Sequence, residues 1–219
     1  MSRLKIFTYP EIVLAKKALP VDRFERRERQ LTKLAEDMLE TMYFAPGIGL
    51  AANQVGVLKR LLVLDIDYRT QKNEDDQEYQ EGDGQQLAHE PSESPLAPHP
   101  QNAEPLQTPE PSDSTPSIRG GKPQMLINPT IIYREGLQTF EEGCLSVPGY
   151  FHDVIRSEKI RVQYQTMDGL TKVLDADGLL AVVIQHEMDH LDGKLFIDRI
   201  GLRDGQTIKK ALKKKKKPA

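Results

Sequence analysis

Between residues 22 and 44 apolar side chains fall at Phe24, Leu31, Leu34, Ala35, Met38, Leu39 and Met42, largely three or four apart. That spacing predicts an amphipathic helix behind an Asp22 cap. "RLLVLDI" (60–66) and "QMLINP" (124–129) are short apolar runs that predict buried strands. "IRVQYQT" (160–166) and "TKVLDA" (171–176) alternate in period two, and "MDG" (167–169) between them predicts a turn. "GLLAVVIQHEMDHLDG" (178–193) is apolar over most of its length and predicts a helix, with Asp177 placed to cap its start and Gly193 to end it. Strands and helices do not alternate regularly, so the pattern predicts an α+β fold rather than a doubly wound sheet. No internal repeat is visible.

The pattern fails between residues 70 and 123. This stretch holds eleven acidic residues against Lys72, Arg119 and Lys122, nine of the fifteen prolines, and few large apolar groups. Such a segment buries too little surface to offset its ordering entropy, which predicts a disordered acidic insertion. The other 165 residues carry a net charge of +5 and predict one compact, mildly basic domain built from 1–69 and 124–205, followed by a basic tail at 206–219. The single cysteine, Cys144, excludes an internal disulfide and fits a reducing compartment. No signal-peptide h-region opens the chain, and no apolar run approaches the ~18 residues of a membrane span. The expectation is a soluble, cytoplasmic protein.

The helix at 178–193 carries the strongest chemical signal. His186 and His190 are four apart, so both imidazoles face one point, and Glu187 stands beside that point without ligating it. This arrangement suits metal-assisted hydrolysis, in which a bound water becomes acidic enough to pass its proton to the glutamate. The bland alternative is a pair of hydrogen-bonded core histidines. Val182, Val183 and Ile184 place the helix in the core, where two imidazoles and a carboxylate are costly without a partner. A metal is the simplest partner.

A catalytic site of this kind needs a third protein ligand. No glutamate follows Glu187, and the position six residues beyond His190 is Phe196, so two common ligand patterns are excluded. His89 and His99 lie in the acidic insertion, which leaves His152 and Cys144. Cys144 sits in "EEGCLSVPGY" (141–150) behind a glycine, and a thiolate is a good soft ligand. A lone cysteine is more often a small buried hydrophobe, and the local sequence does not match a papain-like nucleophile. Beside a helix that lacks one ligand, metal is the favoured role. In "PGIGLAANQVG" (46–56), Gly47 and Gly49 allow close backbone approach, and Gln54 is an amide within an apolar run. This is either a glycine-rich turn entering a strand or an amide donor for an oxyanion.

Taken together and in this order, "GIGLAANQ", "EGCLS" and "QHEMDH" closely resemble the three signature motifs of the peptide deformylase family. The resemblance implies removal of the formyl group from formyl-methionyl nascent peptides, with release of formate. It implies a single α+β domain in which antiparallel strands pack around the central HExxH helix. Carried over by motif, Cys144, His186 and His190 would hold one divalent metal. In the family this is typically Fe(II), with Zn, Ni or Co also able to occupy the site. Glu187 would be the general base and acid, while Gln54 and the backbone N–H of Leu145 would stabilise the oxyanion. Ile48, Phe140, Leu179, Val182 and Val183 would form the methionine pocket, and backbone around Ile48, Gly49 and Gly143 would align the peptide as an added strand. The acidic insertion is far longer than the family's usual connection at that point. Gly149, Tyr150 and Phe151 replace the acidic and basic residues found there in many bacterial members.

The C-terminal "IKKALKKKKKPA" (208–219) holds seven lysines and no acid. Most charge runs are solvated, frayed ends that keep a protein soluble. A nascent-chain substrate emerges from a polyanionic RNA surface, however, and a basic extension serves ribosome binding in some family members, so ribosome association through the tail is expected. Neither membrane association nor sequence-specific DNA binding is expected. Two other functions fit the motifs: a metallopeptidase acting on ordinary peptide bonds, and a ribosome-binding protein with a structural metal.

Overall fold

The computed structural model describes residues 3–22, 29–69 and 119–215. The chain passes through helix α1 (Arg29–Phe44) and strands β1 (Gly49–Ala51), β2 (Leu61–Leu64), β3 (Tyr68–Arg69) and β4 (Arg119–Gly120). Strands β5 (Gln124–Glu135), β6 (Gln138–Gly143), β7 (Phe151–Arg156), β8 (Lys159–Gln165) and β9 (Thr171–Asp177) follow. Helices α2 (Gly178–Leu191) and α3 (Leu202–Lys215) complete it. Five strands form an antiparallel sheet in the order β1-β2-β5-β8-β9, while β3-β4 and β6-β7 form separate two-stranded ladders. The α+β architecture expected from the sequence is the one observed.

The unbroken apolar run of β2 follows from its position between two helices. Leu62 and Leu64 face α2 and pack with Ala181, Val183 and Ile184. Leu61 and Val63 face the other way, onto Leu31, Ala35, Met38 and Met42 of α1. A strand covered on both faces has no use for a polar alternation. By contrast, β8 and β9 have one exposed face and do alternate.

Strand β5 continues six residues beyond the predicted 124–129, through a register shift between Ile127 and Thr130. Asn128 lies in this bulge at φ 51°, a conformation asparagine tolerates better than most residues. Its side chain exchanges two 2.8 Å hydrogen bonds with the backbone of Val21 and donates a third to Gln165.

Of three further expectations, one is only partly covered by the described residues and two are revised by the structure. The first predicted helix is described only from Arg29 onward; residues 23–28 lie outside the described residues. Asp177 occupies the cap position of α2 in an extended conformation, but its side chain makes no capping hydrogen bond. The third concerns the basic tail, because residues up to Lys215 form α3 rather than a frayed end. Gly205, Ile208 and Leu212 are buried, the last two against Val147, Val154, Phe196 and Ile197. Each such aliphatic side chain contributes ~1.5–3 kcal/mol when fully buried, which is enough to hold a lysine-rich helix down. The expected disorder of the acidic insertion concerns residues that, up to 118, lie outside the described residues. Its last residues pair Arg119–Gly120 with Tyr68–Arg69. No helix among the described residues is long and apolar enough to cross a membrane.

Candidate metal centre and active site

Helix α2 runs through the core, with Ala181, Val183, Ile184 and Leu191 packed on the large sheet. This burial carries His186, Glu187 and His190 inward, each less than a tenth exposed. Cys144 arrives from the segment that leaves β6. The Cys144 Sγ lies 3.2 Å from His190 Nε2, which is 3.2 Å from His186 Nε2. One ligand atom from each of the three residues falls within 4.8 Å of the others. The other candidate for the third ligand, His152, is instead on β7, where its Nε2 lies 3.7 Å from Asp204.

The donor set fits a divalent cation on chemical grounds. A soft thiolate and two imidazoles converge from a buried wall, and His186 Nδ1 is occupied by Glu142 Oε2 at 2.8 Å, which turns Nε2 toward the shared point. Burial works against charge on His186, but Cys144 and Glu142 outweigh it and favour the protonated ring. His190 is pushed the opposite way, by burial and by the neighbouring His186.

Glu187 shares the site without being part of the ligand group. Its Oε2 is buried with no hydrogen-bond partner, and burial is the main influence raising its carboxyl to about 7. The strand opposite must be glycine to leave room for it: a Cβ on Gly49 would meet Glu187 Oε1 at 2.6 Å. Gln54 is fixed from both ends. Its Oε1 accepts from the Ala51 N–H at 2.8 Å, so Nε2 points to Ser146 Oγ at 3.2 Å and Cys144 Sγ at 3.7 Å. The amide therefore presents its donor end to the metal point.

A cavity of about 510 Å³ opens over this constellation. Among the residues expected from the sequence, Ile48, Gly49, Gln54, Phe140, Gly143, Cys144, Leu145, Leu179, Val182, Val183, His186 and Glu187 all line it; His190 lies behind the wall. Phe140 and Leu179 are 39% and 37% exposed, so they form the rim of the apolar compartment, while Val182 and Val183 form its floor. The cavity runs between two strand edges. Strand β1 ends the five-stranded sheet, and β6 pairs only with β7 among the described strands.

Sequence reasoning missed the charged network beneath the ligands. Arg156 on β7 donates to Glu142 through Nε at 2.6 Å and Nη2 at 2.9 Å, and through Nη1 to Asp189 at 2.6 Å. Arg199 closes the far side of Asp189, with Nε at 2.9 Å and a second contact through Nη2. Burial alone would raise the Glu142 carboxyl, but Arg156 and His186 hold it down at about 2. The only hint in the sequence was the second glutamate of "EEGCLS", which precedes Cys144 by two residues.

Comparisons with known proteins agree with this geometry. Residues 3–205 match the family model described as polypeptide deformylase. "Peptide deformylase 2" of Xanthomonas axonopodis pv. citri is 38% identical over 217 residues, covering 99% of this chain and 98% of its own. The crystal structure of a peptide deformylase from Legionella pneumophila superposes with a TM-score of 0.68 at 31% identity, with both chains fully covered. A peptide deformylase from Acinetobacter baumannii, solved with Met-Ala-Ser bound, gives 0.65 at 28% identity, covering 91% of this chain and 100% of that one. The chain belongs to the polypeptide deformylase family.

Proposed function

We propose that the cleft between β1 and β6 receives a formylated peptide N-terminus as an added strand and presents its formyl amide to the Cys144–His186–His190 group. The chain is a peptide deformylase, a hydrolase that removes the N-formyl group from nascent peptides. The observation that carries the assignment of roles is the buried Glu187 carboxylate, whose Oε2 has no hydrogen-bond partner, beside three converging ligand atoms.

Cys144 Sγ and the two Nε2 atoms would hold one divalent metal, which supplies Lewis acidity to the attacking water and to the formyl oxygen. Iron(II) is the proposed native ion, with zinc, nickel or cobalt as substitutes, since a thiolate and two imidazoles suit all four. Glu187 takes a proton from the attacking water as oxygen bonds to the formyl carbon. The same carboxyl then protonates the amide nitrogen as the C–N bond breaks, releasing formate and a free amine. Charge that develops on the formyl oxygen is met by Gln54 Nε2 and the Leu145 backbone N–H. The methionine side chain enters the compartment of Ile48, Phe140, Leu179, Val182 and Val183. The peptide backbone pairs with Ile48, Gly49 and Gly143. The Acinetobacter relative holds Met-Ala-Ser, which begins with the methionine that deformylation leaves behind.

Ribosome association is proposed for the outer face of α3, where Lys210, Lys213, Lys214 and Lys215 are exposed. Action on nascent chains in this manner implies a cytoplasmic enzyme.

The test is formate release from formyl-Met-Ala-Ser by anaerobically purified protein, with metal analysis of the same sample. Cleavage of internal bonds in an unformylated peptide, without formate release from the formylated one, would overturn the assignment in favour of a metallopeptidase.

A further inference from the structure

Asp65 follows β2 as a fully buried carboxylate, outside the metal centre and its charged network. Its Oδ1 accepts from the backbone N–H of Asp67, just before β3, at 3.1 Å and from that of Lys122, just after β4, at 3.0 Å. Oδ2 accepts from the Tyr43 hydroxyl at 2.7 Å. A Cβ on Gly121, at φ 94°, would meet that same oxygen at 2.6 Å, so the β3–β4 ladder closes directly on the carboxylate. The ring of Tyr43 meets that of Tyr68 edge to face, with centroids 4.7 Å apart. Tyr68 is buried on β3, and its hydroxyl donates to the Gly47 carbonyl at 2.8 Å.

Gly47 belongs to the wall of the catalytic cavity, beside Ile48 and Gly49. Its carbonyl and the Ile48 N–H are two ends of one planar trans peptide group, so a hydroxyl that fixes the first also sets the direction of the second. Leu145 packs against the same glycine, since a Cβ on Gly47 would meet Leu145 Cδ1 at 2.8 Å. The Ile48 carbonyl accepts from the Asp65 N–H at 3.0 Å. Asp65 thus grips the segment through its backbone, while its side chain holds Tyr43 against the tyrosine that grips it one residue earlier. Burial, followed by the Asp65 charge, raises Tyr68 to about 12. Burial and the same carboxylate raise Tyr43 as well, so both hydroxyls remain donors at neutral pH.

We propose that Tyr68 is a positioning residue for the peptide-binding edge, its hydroxyl fixing the Gly47–Ile48 peptide group in the orientation that meets an incoming formylated peptide. The inference rests on the added-strand reading of the cleft. Such an edge holds the bound substrate and the transition state equally, so its displacement raises KM and spares kcat.

The experiment measures kcat and KM for formyl-Met-Ala-Ser and formyl-Met amide, with melting temperature and metal content, in wild type, Y68F, Y43F and L31A. Y68F keeps the ring and loses only the hydroxyl. It is expected to raise KM for formyl-Met-Ala-Ser about two- to tenfold, the net contribution of one hydrogen bond, with kcat within about twofold and metal content unchanged. Y43F leaves the Gly47 bond in place but loosens its support, so KM rises by a smaller factor. L31A removes a buried leucine at the opposite end of α1 from Tyr43, and is expected to lower the melting temperature more than Y68F while keeping the wild-type KM. An unchanged KM in Y68F, a loss that falls on kcat instead, or an equal rise of KM in L31A would overturn the proposal while leaving deformylation intact. Should Y68F not fold, Y43F decides in its place, and an unchanged KM there overturns the proposal. A wild-type KM no lower for formyl-Met-Ala-Ser than for formyl-Met amide would overturn the added-strand reading itself.

Discussion

Arg156→Met is expected to loosen the joint between the β6–β7 hairpin and the metal helix. Arg156 is 5% exposed and forks onto Glu142 while its third nitrogen holds Asp189. Asp189 keeps Arg199 when Arg156 is lost, but Glu142 is left with His186 alone. Removing one partner from a buried ion pair destabilises by roughly 3–5 kcal/mol, because the other charge stays buried. Since Asp189 is still paired, we take the lower end, about 3 kcal/mol. For a domain of this size each kcal/mol moves the melting temperature by about 2–4 °C, so a fall of roughly 6–12 °C is expected. A second effect follows at the metal. Glu142 orients His186 through Nδ1, and disturbing such an outer partner weakens metal binding by about 10–100-fold. Thermal melts of metal-loaded wild type, R156M and R156K, with the rate of zinc loss to a chelator, measure both effects. R156K is expected to fall between the other two, because it keeps the charge without the fork. An R156M protein that melts within about 2 °C of wild type and holds zinc equally well would refute the role given to the network.

Glu187→Gln should leave bound metal in place while lowering formate release by at least about 10²–10⁴-fold; activity within tenfold of wild type would remove Glu187 from the proton transfers. Cys144→Ser should lose metal on dialysis, because a hard hydroxyl replaces the soft thiolate; undiminished metal content would exclude Cys144 as a ligand. The Glu142 carboxyl lies at about 2 in the fold against an ordinary 4.5, so its contribution is complete above about 4.5 and disappears as pH falls toward 2. That contribution is on the order of 3 kcal/mol. The stability gap between wild type and E142Q, from denaturant melts at matched metal content, should therefore close over that interval, and a gap independent of pH would contradict it. Replacing Lys210, Lys213, Lys214 and Lys215 by Gln should abolish salt-sensitive cosedimentation with ribosomes but spare hydrolysis of short formyl-peptides. Truncation after Gly205 is the poorer test, because it also removes buried Ile208 and Leu212.

What the sequence revealed and what it hid divide along physical lines. Helix α2 was legible because its apolar run has one length, one cap position and one stop; Gly193 ends it at φ 74°. The β8–β9 hairpin was legible because one of its faces is wet. The β6–β7 hairpin was not, since its inward positions include Glu142 and Arg156 and its outward ones include Phe151 and Ile155. A polarity rule reads such strands as loop. The same charges that hide the hairpin orient the metal ligand, so the failure and the function have one cause. Helix α3 was obscured by composition, because two buried aliphatic side chains hold down a segment that otherwise reads as a lysine run. The ligands and Glu187 were visible because their spacing is local to one helix. Arg156 lies 33 residues from Asp189 and 14 from Glu142, distances at which no local pattern survives.

Exposed strand edges are usually blunted, because unpaired N–H and C=O groups invite pairing with other chains. Here two edges, β1 and β6, flank the cavity and have no further strand partner among the described residues. Their residues explain how this is tolerated. Strand β1 is only three residues long, and all three are buried. Strand β6 carries Glu141 on its outward face beside Asp153 of β7, which discourages pairing with another sheet edge. The cavity between them is lined by Gly49, Gly143 and Glu187. In the proposed added-strand mode, an extended N-terminus would pair between these two edges. Recognition of an extended chain would then begin at the two strand edges, before any side chain recognises methionine or formyl.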